Sequence, residues 1–377
     1  MPNVLNDVIP VFYEALDRVN AERIGMIPAT VLDARASSVQ KGQAVKVPVT
    51  PASTNEDVTA SSSAPTGEGE TIGTIDITIQ KIRRGKPILW TGEDELGVSG
   101  SGMLNPIQVD QFAQRLRSLR NEMEADCCAE AYLGAIKAGN VRGSIGTNPF
   151  ASNLNNLTQV YKDLADAGAS TSELQCVLNT ESGMNIRNLT QLQKINEAGE
   201  TSLLRKGVLG DLFGFTLRES AGMAHVKGSA ASYLVNGKAD EGDTEVTVDT
   251  GTGTFNAGDV VTFGEDTTLY VVKSATATKI TLDMPLKADV ADNAAVTVKA
   301  YKPNALFSRG SIVLASRVPY VPARGDIAID RQIITDPLTG IPYELAVWGG
   351  AYQNSVTIAT AWGVKNIKAE NTVALLG

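Results

Sequence analysis

The chain has 377 residues, 43% of them hydrophobic and 20% charged, with a formal net charge of −9. That length suffices for two or three domains and a sizeable core, and the composition is that of a soluble globular protein. The acidic balance argues against whole-surface affinity for nucleic acid while leaving room for a local basic patch. No run approaches the roughly 18 apolar residues of a membrane helix. The N-terminal MPNVLNDVIPVFYEALDRV has no basic region followed by a continuous apolar core, so no signal peptide is expected. Three cysteines, two of them adjacent, make no disulfide framework and suggest a reducing compartment.

From Asn3 to Ala29 the pattern predicts an amphipathic helix broken by proline. Val8, Val11, Phe12, Ala15, Leu16 and Val19 form one face, with Asp17, Arg18 and Glu22 largely away from it. Pro28 and Pro48 bracket QKGQAVKVPV, which alternates with strand period. Thr50 to Glu70 is small, polar and acidic, and cannot bury enough apolar surface to fold alone. One alternating strand is expected next, with Ile72, Ile75, Ile77, Ile79 and Ile82. Strand, soft tip and strand together predict a long hairpin projecting from the body; a plain surface linker is the bland alternative. Gly97-Val98-Ser99-Gly100-Ser101-Gly102 reads as a flexible lead into the next element.

Leu104 to Gly139 is the element on which the rest is organised. Asn105 is an N-cap candidate, Pro106 suits the first helical position, and Gly139 suits a left-handed C-cap. Val109, Phe112, Leu116, Leu119, Met123, Cys127, Ala131 and Gly134 recur in steps of three and four, the mark of one buried face. Arg115, Arg117, Arg120, Glu122, Glu124 and Asp126 are assigned to the other face. At 1.5 Å per residue such a helix runs roughly 50 Å, a spine across which other elements are laid.

A small α/β unit follows. Ser152 or Asn153 is expected to cap a helix carrying Leu154, Leu157, Tyr161 and Leu164 and ending near Gly168. Leu174 to Leu178 reads as a buried strand, Ile186, Leu189, Leu192 and Ile195 as a helix, and Phe213 to Arg218 as a strand. From Asn236 to Lys299 five short runs rich in Val, Ile and Thr alternate with Gly, Asp and Asn turns, which predicts a compact barrel or sandwich. Eleven acidic residues and five lysines give this segment −6 of the net charge. An inserted domain is preferred over a continuation of the main sheet. Strands are then expected at Ser311–Ser316, Ile327–Ile334, Tyr343–Trp348 and Val356–Val364, with a turn at Asp336–Gly340 and an apolar, docked C-terminus.

The search for chemistry returns no catalytic, cofactor-binding or metal-ligating residue, and no cofactor is expected. His225, the single histidine, is read as a domain-junction residue more readily than as a general base. Gly97-Val98-Ser99-Gly100-Ser101 misses the last glycine of a nucleophile elbow. Cys127 and Cys128 point to different helix faces and make poor metal partners. Glu93-Asp94-Glu95 fits a solvated loop better than a cation site, Arg324-Gly325-Asp326 is too short to count, and the sequons at Asn156 and Asn188 fall in expected helices. Two basic clusters stand out: Lys81, Arg83, Arg84 and Lys86, and on the spine Arg115, Arg117 and Arg120. Each is either a contact to phosphates or a neighbouring subunit, or a solvated face.

The order of N-terminal arm, hairpin, spine, α/β unit and closing strands resembles the major capsid protein of tailed bacteriophages. Asn304 to Pro319 (NALFSRGSIVLASRVP) is similar to a recurring capsid segment in which an aromatic, a basic residue and an apolar strand lead to a proline. Ala361-Trp362-Gly363-Val364-Lys365, with Glu370 beyond, resembles the final strand of such proteins. The acidic β segment resembles the extra domain of short-tailed phage coat proteins of the Salmonella type. The resemblance implies an α+β capsid-shell fold of the tailed-phage and herpesvirus kind. Its parts would be an arm and start of the extended loop (1–50), the extended loop and linker (51–103), the peripheral-domain spine helix (104–150), an axial α/β domain (151–235), an inserted all-β domain (236–299) and a return to the axial and peripheral strands (300–377).

It further implies a structural protein and no enzyme: a subunit forming hexamers and pentamers of an icosahedral head. Implied partners are itself, a separate scaffolding protein, a portal, a decoration protein and non-specifically contacted double-stranded DNA, with no membrane. The location would be the virion, and the host cytoplasm during assembly. Two alternatives stay open. An encapsulin-like nanocompartment shell is weighed against by the acidic insert, and a β-rich binding or adhesion protein by the long spine and missing export signal.

Overall fold

In the computed structural model, which describes residues 5–20, 25–33, 44–49, 73–99, 104–189, 192, 210–322 and 325–377, the chain begins with helix α1 (Leu5–Asn20). The helix runs through Pro10 instead of breaking there. Its face of Val11, Phe12, Ala15, Leu16 and Val19 is buried, and that packing outweighs one lost backbone hydrogen bond. A 3₁₀ turn at Ile27–Ala29 leads to β1 (Val31–Asp33). Strands β2 (Ala44–Val49) and β3 (Gly73–Thr78) pair antiparallel from Ala44↔Thr78 to Val49↔Gly73, the two arms of the expected hairpin; its tip lies outside the described residues. The single strand expected after the tip is three: β3, β4 (Lys81–Arg84) and β5 (Ile88–Thr91). Ile77 and Ile79 are buried while Ile82 is exposed, so the alternation changes face where the chain leaves the ribbon. Helix α2 (Gly92–Ser99) takes up Gly97, Val98 and Ser99 of the stretch read as flexible.

Helix α3 (Leu104–Lys137) is the spine, 34 residues long and about 51 Å at 1.5 Å per residue. It already includes Asn105, so the capping role expected there is not met. Gly139 adopts φ +79° as expected of a C-cap. The α/β unit consists of β6 (Val141–Gly143), α4 (Asn155–Asp166), β7 (Leu174–Leu178), α5 (Thr180–Asn188), β8 (Asp211–Leu212) and β9 (Phe215–Glu219). Leu154 holds the N-cap of α4, and Asn153 contributes by accepting from the Asn155 N–H at 3.1 Å. Leu189 caps α5, and Ile195 lies outside the described residues. Phe213 is no strand residue. With Gly214 it forms the two-residue turn between β8 and β9, both at positive φ (+49° and +81°) as a tight hairpin demands.

The Val- and Thr-rich segment closes into a six-stranded antiparallel barrel. Its strands are β10 (Tyr233–Val235), β11 (Glu245–Asp249), β12 (Val260–Phe263), β13 (Tyr270–Ala275), β14 (Lys279–Leu282) and β15 (Ala295–Lys299), in the order β10-β11-β14-β13-β12-β15. None of these strands joins another sheet. β10 precedes the expected boundary at Asn236, and it closes the barrel by pairing with both β11 and β15. Val246, Val248, Val261, Phe263, Val272, Ile280, Leu282, Val296 and Val298 fill the interior.

The remaining strands are β16 (Pro303–Ser308), β17 (Ile312–Arg317), β18 (Ala328–Thr335), β19 (Pro342–Gly350), β20 (Gln353–Asn366) and β21 (Thr372–Leu376). They build two sheets on the spine. The first is β1-β17-β20-β19-β18 with β4 and β5 also on β20. Ala359 pairs with both Glu344 and Arg84, and Ala361 with both Arg317 and Ile82, so β17 and β19 line one edge of β20 while β4 and β5 line the other. The second sheet is β6-β21-β16-β7-β9-β8. It is buried on both faces. Leu306, Cys176, Leu178, Val373 and Leu375 pack under α4 and α5, while Ala305, Phe307, Val177, Ala374 and Leu376 join the spine's core. That is why LQCVL and TVALL read as continuous apolar runs.

The ribbon β2–β3 lies on the face of the first sheet turned away from the spine, where Val45, Ile77 and Ile79 cover Val313, Ala315 and Ala361. Gly363 permits the crossing: a Cβ there would stand 1.9 Å from the Thr78 carbonyl oxygen. Gly363→Ala is therefore expected to lift the ribbon from the sheet at a cost of about 1–3 kcal/mol. Faster hydrogen exchange at Ile77 and Ile79 would report it; unchanged protection would mean that the close crossing does not form in solution.

Candidate functional site: the ties and open faces around the spine

The buried half of the spine is wider than its single stripe suggests. Val109 and Leu116 aside, buried positions come in neighbouring pairs: Phe112 and Ala113, Leu119 and Arg120, Met123 and Glu124, Cys127 and Cys128, Ala131 and Tyr132, Ala135 and Ile136. Arg120 (4% exposed) and Glu124 (6%) thus belong to the inner face, contrary to their assignment to the outer one. Arg120 Nη1 donates to the Val19 carbonyl at 2.5 Å, in the last turn of α1, where a cation meets the negative end of the helix dipole. One turn on, the Glu124 carboxylate accepts from the Gly25, Met26 and Ile27 N–H groups (3.0, 2.6 and 2.8 Å) and from Ser220 Oγ (2.7 Å). A buried carboxylate with four donors is well compensated. Consecutive turns of the spine therefore cap the end of one arm segment and the start of the next. Sequence reading missed both residues, although the paired spacing carried the signal.

Part of each basic cluster is tied down within the chain. Lys81 Nζ sits 3.1 Å from Glu122 and 2.9 Å from Asp126, and Arg83 Nε 3.0 Å from Glu122. These pairs strap β4 to the spine within one chain. Asp126 also accepts from Trp362 Nε1 at 2.8 Å, and Arg115 Nε donates to the Lys86 carbonyl at 2.9 Å. Arg117 is half-buried and partnered, and Arg84 and Lys86 are exposed.

No reactive geometry gathers around the other candidates. Cys127 and Cys128 are both fully buried, and burial pushes both thiols well up from their ordinary range. Cys128 Sγ lies 3.7 Å from Ser220 Oγ. Asp94, in the acidic triplet, sits in the first turn of α2 and completes a capping box with Thr91. Its carboxylate accepts from Thr91 Oγ1 (2.6 Å), Thr91 Oγ1 accepts from the Asp94 N–H (3.1 Å), and the Thr91 bonds hold the Asp94 carboxyl below its usual range. Ser99 ends α2 and Asn156 lies in α4; Asn188 is the last residue of α5. Arg324 lies outside the described residues, while Asp326 pairs with Arg331 at 2.5 Å. His225 stands at the neck of the barrel, its Nε2 2.9 Å from Asp259 Oδ1, the junction position expected.

The capsid-like segment Asn304–Pro319 is the run that passes from the second sheet (β16) through a 3₁₀ turn to the first (β17). Asn304 is fully buried. It accepts from the Asn179 N–H at 2.9 Å and donates to the Leu375 carbonyl at 3.1 Å, so it joins β7, β16 and β21. Of its two arginines, Arg309 is exposed; Arg317 is 5% exposed and donates to the Val318 carbonyl at 2.7 Å.

Part of the first sheet's outer face stays open beside the ribbon. A groove of about 320 Å³ runs between Ile82, Tyr320, Trp348 and Ala359. Of its lining, Ile82 (40%) and Tyr320 (81%) are exposed, as is Ile333 (58%), the pairing partner of the lining residue Glu344, and among the described residues β18 pairs only with β19.

No family model matches the sequence, and no curated protein matches it. Among solved structures, a chain of Mycobacterium phage Che8 is similar over 89% of this chain and 85% of its own, at 13% identity and TM-score 0.48. A chain from the capsid of cyanophage P-SCSP1u is similar over 94% and 88%, at 10% identity and TM-score 0.49. One from a virus-like particle of Pyrococcus furiosus is similar over 97% and 97%, at 9% identity and TM-score 0.42. Identities and scores this low leave function to be argued from the chain's own geometry.

Proposed function

We propose that the chain is a shell subunit of the tailed-bacteriophage major capsid type, which assembles as hexamers and pentamers into an icosahedral head around double-stranded DNA. The ribbon β2–β3 carries this reading. Among its described side chains, only Val45 and Ile77 at its base, with Ile79 just beyond β3, are buried, whereas Gly73, Thr74 and Asp76 are exposed. An isolated two-stranded ribbon is marginal in water, so its outer part needs another surface. The open half of the first sheet, with Ile82, Tyr320 and Ile333, is a surface of the right kind on a neighbouring copy. Ribbon on one subunit and sheet face on the next form a heterologous contact, which repeats around rings and closes. In this reading the barrel is an inserted domain, the sheet under α4 and α5 belongs to an axial domain, and the other sheet with the spine forms the peripheral one. A scaffolding protein, a portal and a decoration protein are the further partners of the virion, with assembly in the host cytoplasm and chemistry absent from the subunit's task.

The test is sedimentation and negative-stain microscopy of the purified chain, alone and co-expressed with a scaffolding protein. Closed particles are the expected product, with nuclease-protected DNA in particles from infected cells. A chain that stays monomeric under every condition overturns the reading; particles holding protein cargo in place of DNA would make it a nanocompartment shell.

A further inference from the structure

The barrel joins the body through two chain segments, one entering before β10 and one leaving after β15. His225 lies on the first and Tyr301 on the second, and their rings stack with centroids 4.8 Å apart and planes 13° from parallel. Each residue also grips the same barrel turn. His225 Nε2 lies 2.9 Å from Asp259 Oδ1, and Tyr301 Oη donates to the Gly258 carbonyl at 3.3 Å. Tyr132 of the spine packs edge-on against Tyr301 from the body side, with ring centroids 6.0 Å apart and planes at 73°; burial pushes the Tyr132 hydroxyl up to about 12. The turn is shaped for this. Gly258 has φ +90°, and a Cβ on Gly228 would come within 2.5 Å of Asp259 Oδ2 and 2.6 Å of the Thr254 carbonyl oxygen.

The other links between barrel and body do not set direction. Val260 and Val271 pack into the spine's core, an apolar contact that tolerates sliding. Lys137 and Asp283 pair at 2.6 Å with both side chains partly exposed, which is worth little. Among the described residues, only the neck combines a stack with aimed hydrogen bonds.

We propose that His225, Tyr301 and Asp259 form a clasp that closes the barrel's two connections on each other and holds the barrel at one angle to the spine. Opening it frees the barrel to swing without unfolding, because Asp259 keeps the Gly228 and Asn256 N–H groups at 2.9 and 2.8 Å when His225 is removed. This holds for the single subunit, whatever larger assembly it enters. In a repeating shell the same clasp would decide where the acidic barrel points.

The experiment is electron–electron double resonance on the full chain, labelled at Gln159→Cys on α4 and Thr278→Cys on the barrel, both exposed positions. The native cysteines are buried and leave the labelling to these two. The unaltered neck is expected to give one narrow distance distribution. His225→Ala is expected to lose it for a broad one while the amides of Val246, Val261 and Tyr270 keep their exchange protection, and Tyr301→Phe, which keeps the ring, to fall between. A narrow distribution in His225→Ala overturns the clasp. If His225→Ala also unprotects the barrel, His225→Phe decides, since it keeps the stack and removes only the bond to Asp259. A broad distribution there supports the clasp, and a narrow one overturns it. Particle formation is a separate readout, so failure of the shell reading leaves this result intact.

Discussion

Glu124→Ala is expected to lower the stability of the subunit by about 3–5 kcal/mol, more than any other polar truncation on the spine. The substitution removes the acceptor of four buried donors, three of them the backbone N–H groups of Gly25, Met26 and Ile27, which no water can reach to replace it. Urea unfolding of the full chain gives the size, and hydrogen exchange at Met26 and Ile27 gives the place. Glu122→Ala is the control. Its partners Lys81 and Arg83 are 31% and 52% exposed, so the change should cost at most about 1 kcal/mol. Equal effects of the two would mean that the arm does not dock on Glu124 in solution. Arg120 belongs to the same tie. Its reversal to glutamate, which an outward-facing arginine would tolerate, should prevent docking of α1, because a carboxylate would face the Val19 carbonyl at the negative end of that helix.

Leu116→Asp is expected to leave no folded subunit. Leu116 is 1% exposed, between Phe112 and Leu119 in the core shared by α1, the spine and the first sheet. An unpaired charge there costs several kcal/mol on top of roughly 2 kcal/mol of lost apolar burial, against a total stability of about 5–15 kcal/mol. Ser118→Asp, two residues on and exposed, should stay within about 0.5 kcal/mol of the unaltered chain. Circular dichroism and soluble yield separate the two outcomes. A helical spectrum and a normal melt for Leu116→Asp would remove the spine from the core.

What could be read along the chain was what a short window determines. The spine, the buried strand Leu174–Leu178 and the alternating strands of the barrel follow from periodicity, since burying one face of a helix or strand forces a repeat of 3.6 or 2. The hairpin arms could be read for the same reason. Errors arose where a local feature could be overruled from afar. Pro10 is tolerated because α1 packs on the spine, Phe213 turns because Gly214 follows it in a tight hairpin, and Lys81 and Arg83 are spent on Glu122 and Asp126 of their own chain.

The sequence by itself determined which residues are apolar at which spacing, and so the kind and rough extent of most elements. Only the tertiary structure decided that Arg120 and Glu124 lie inside, that strands from the last 77 residues complete both sheets, and that β10 closes the barrel from beyond its apparent border. The physical reason is the same in each case. A charged side chain or a short strand carries no local energy that tells inside from outside. Its position is set by partners about a hundred residues away, such as Gly25 for Glu124 and Val19 for Arg120, or by closure of a ladder whose last pair, β10 with β15, spans the whole domain.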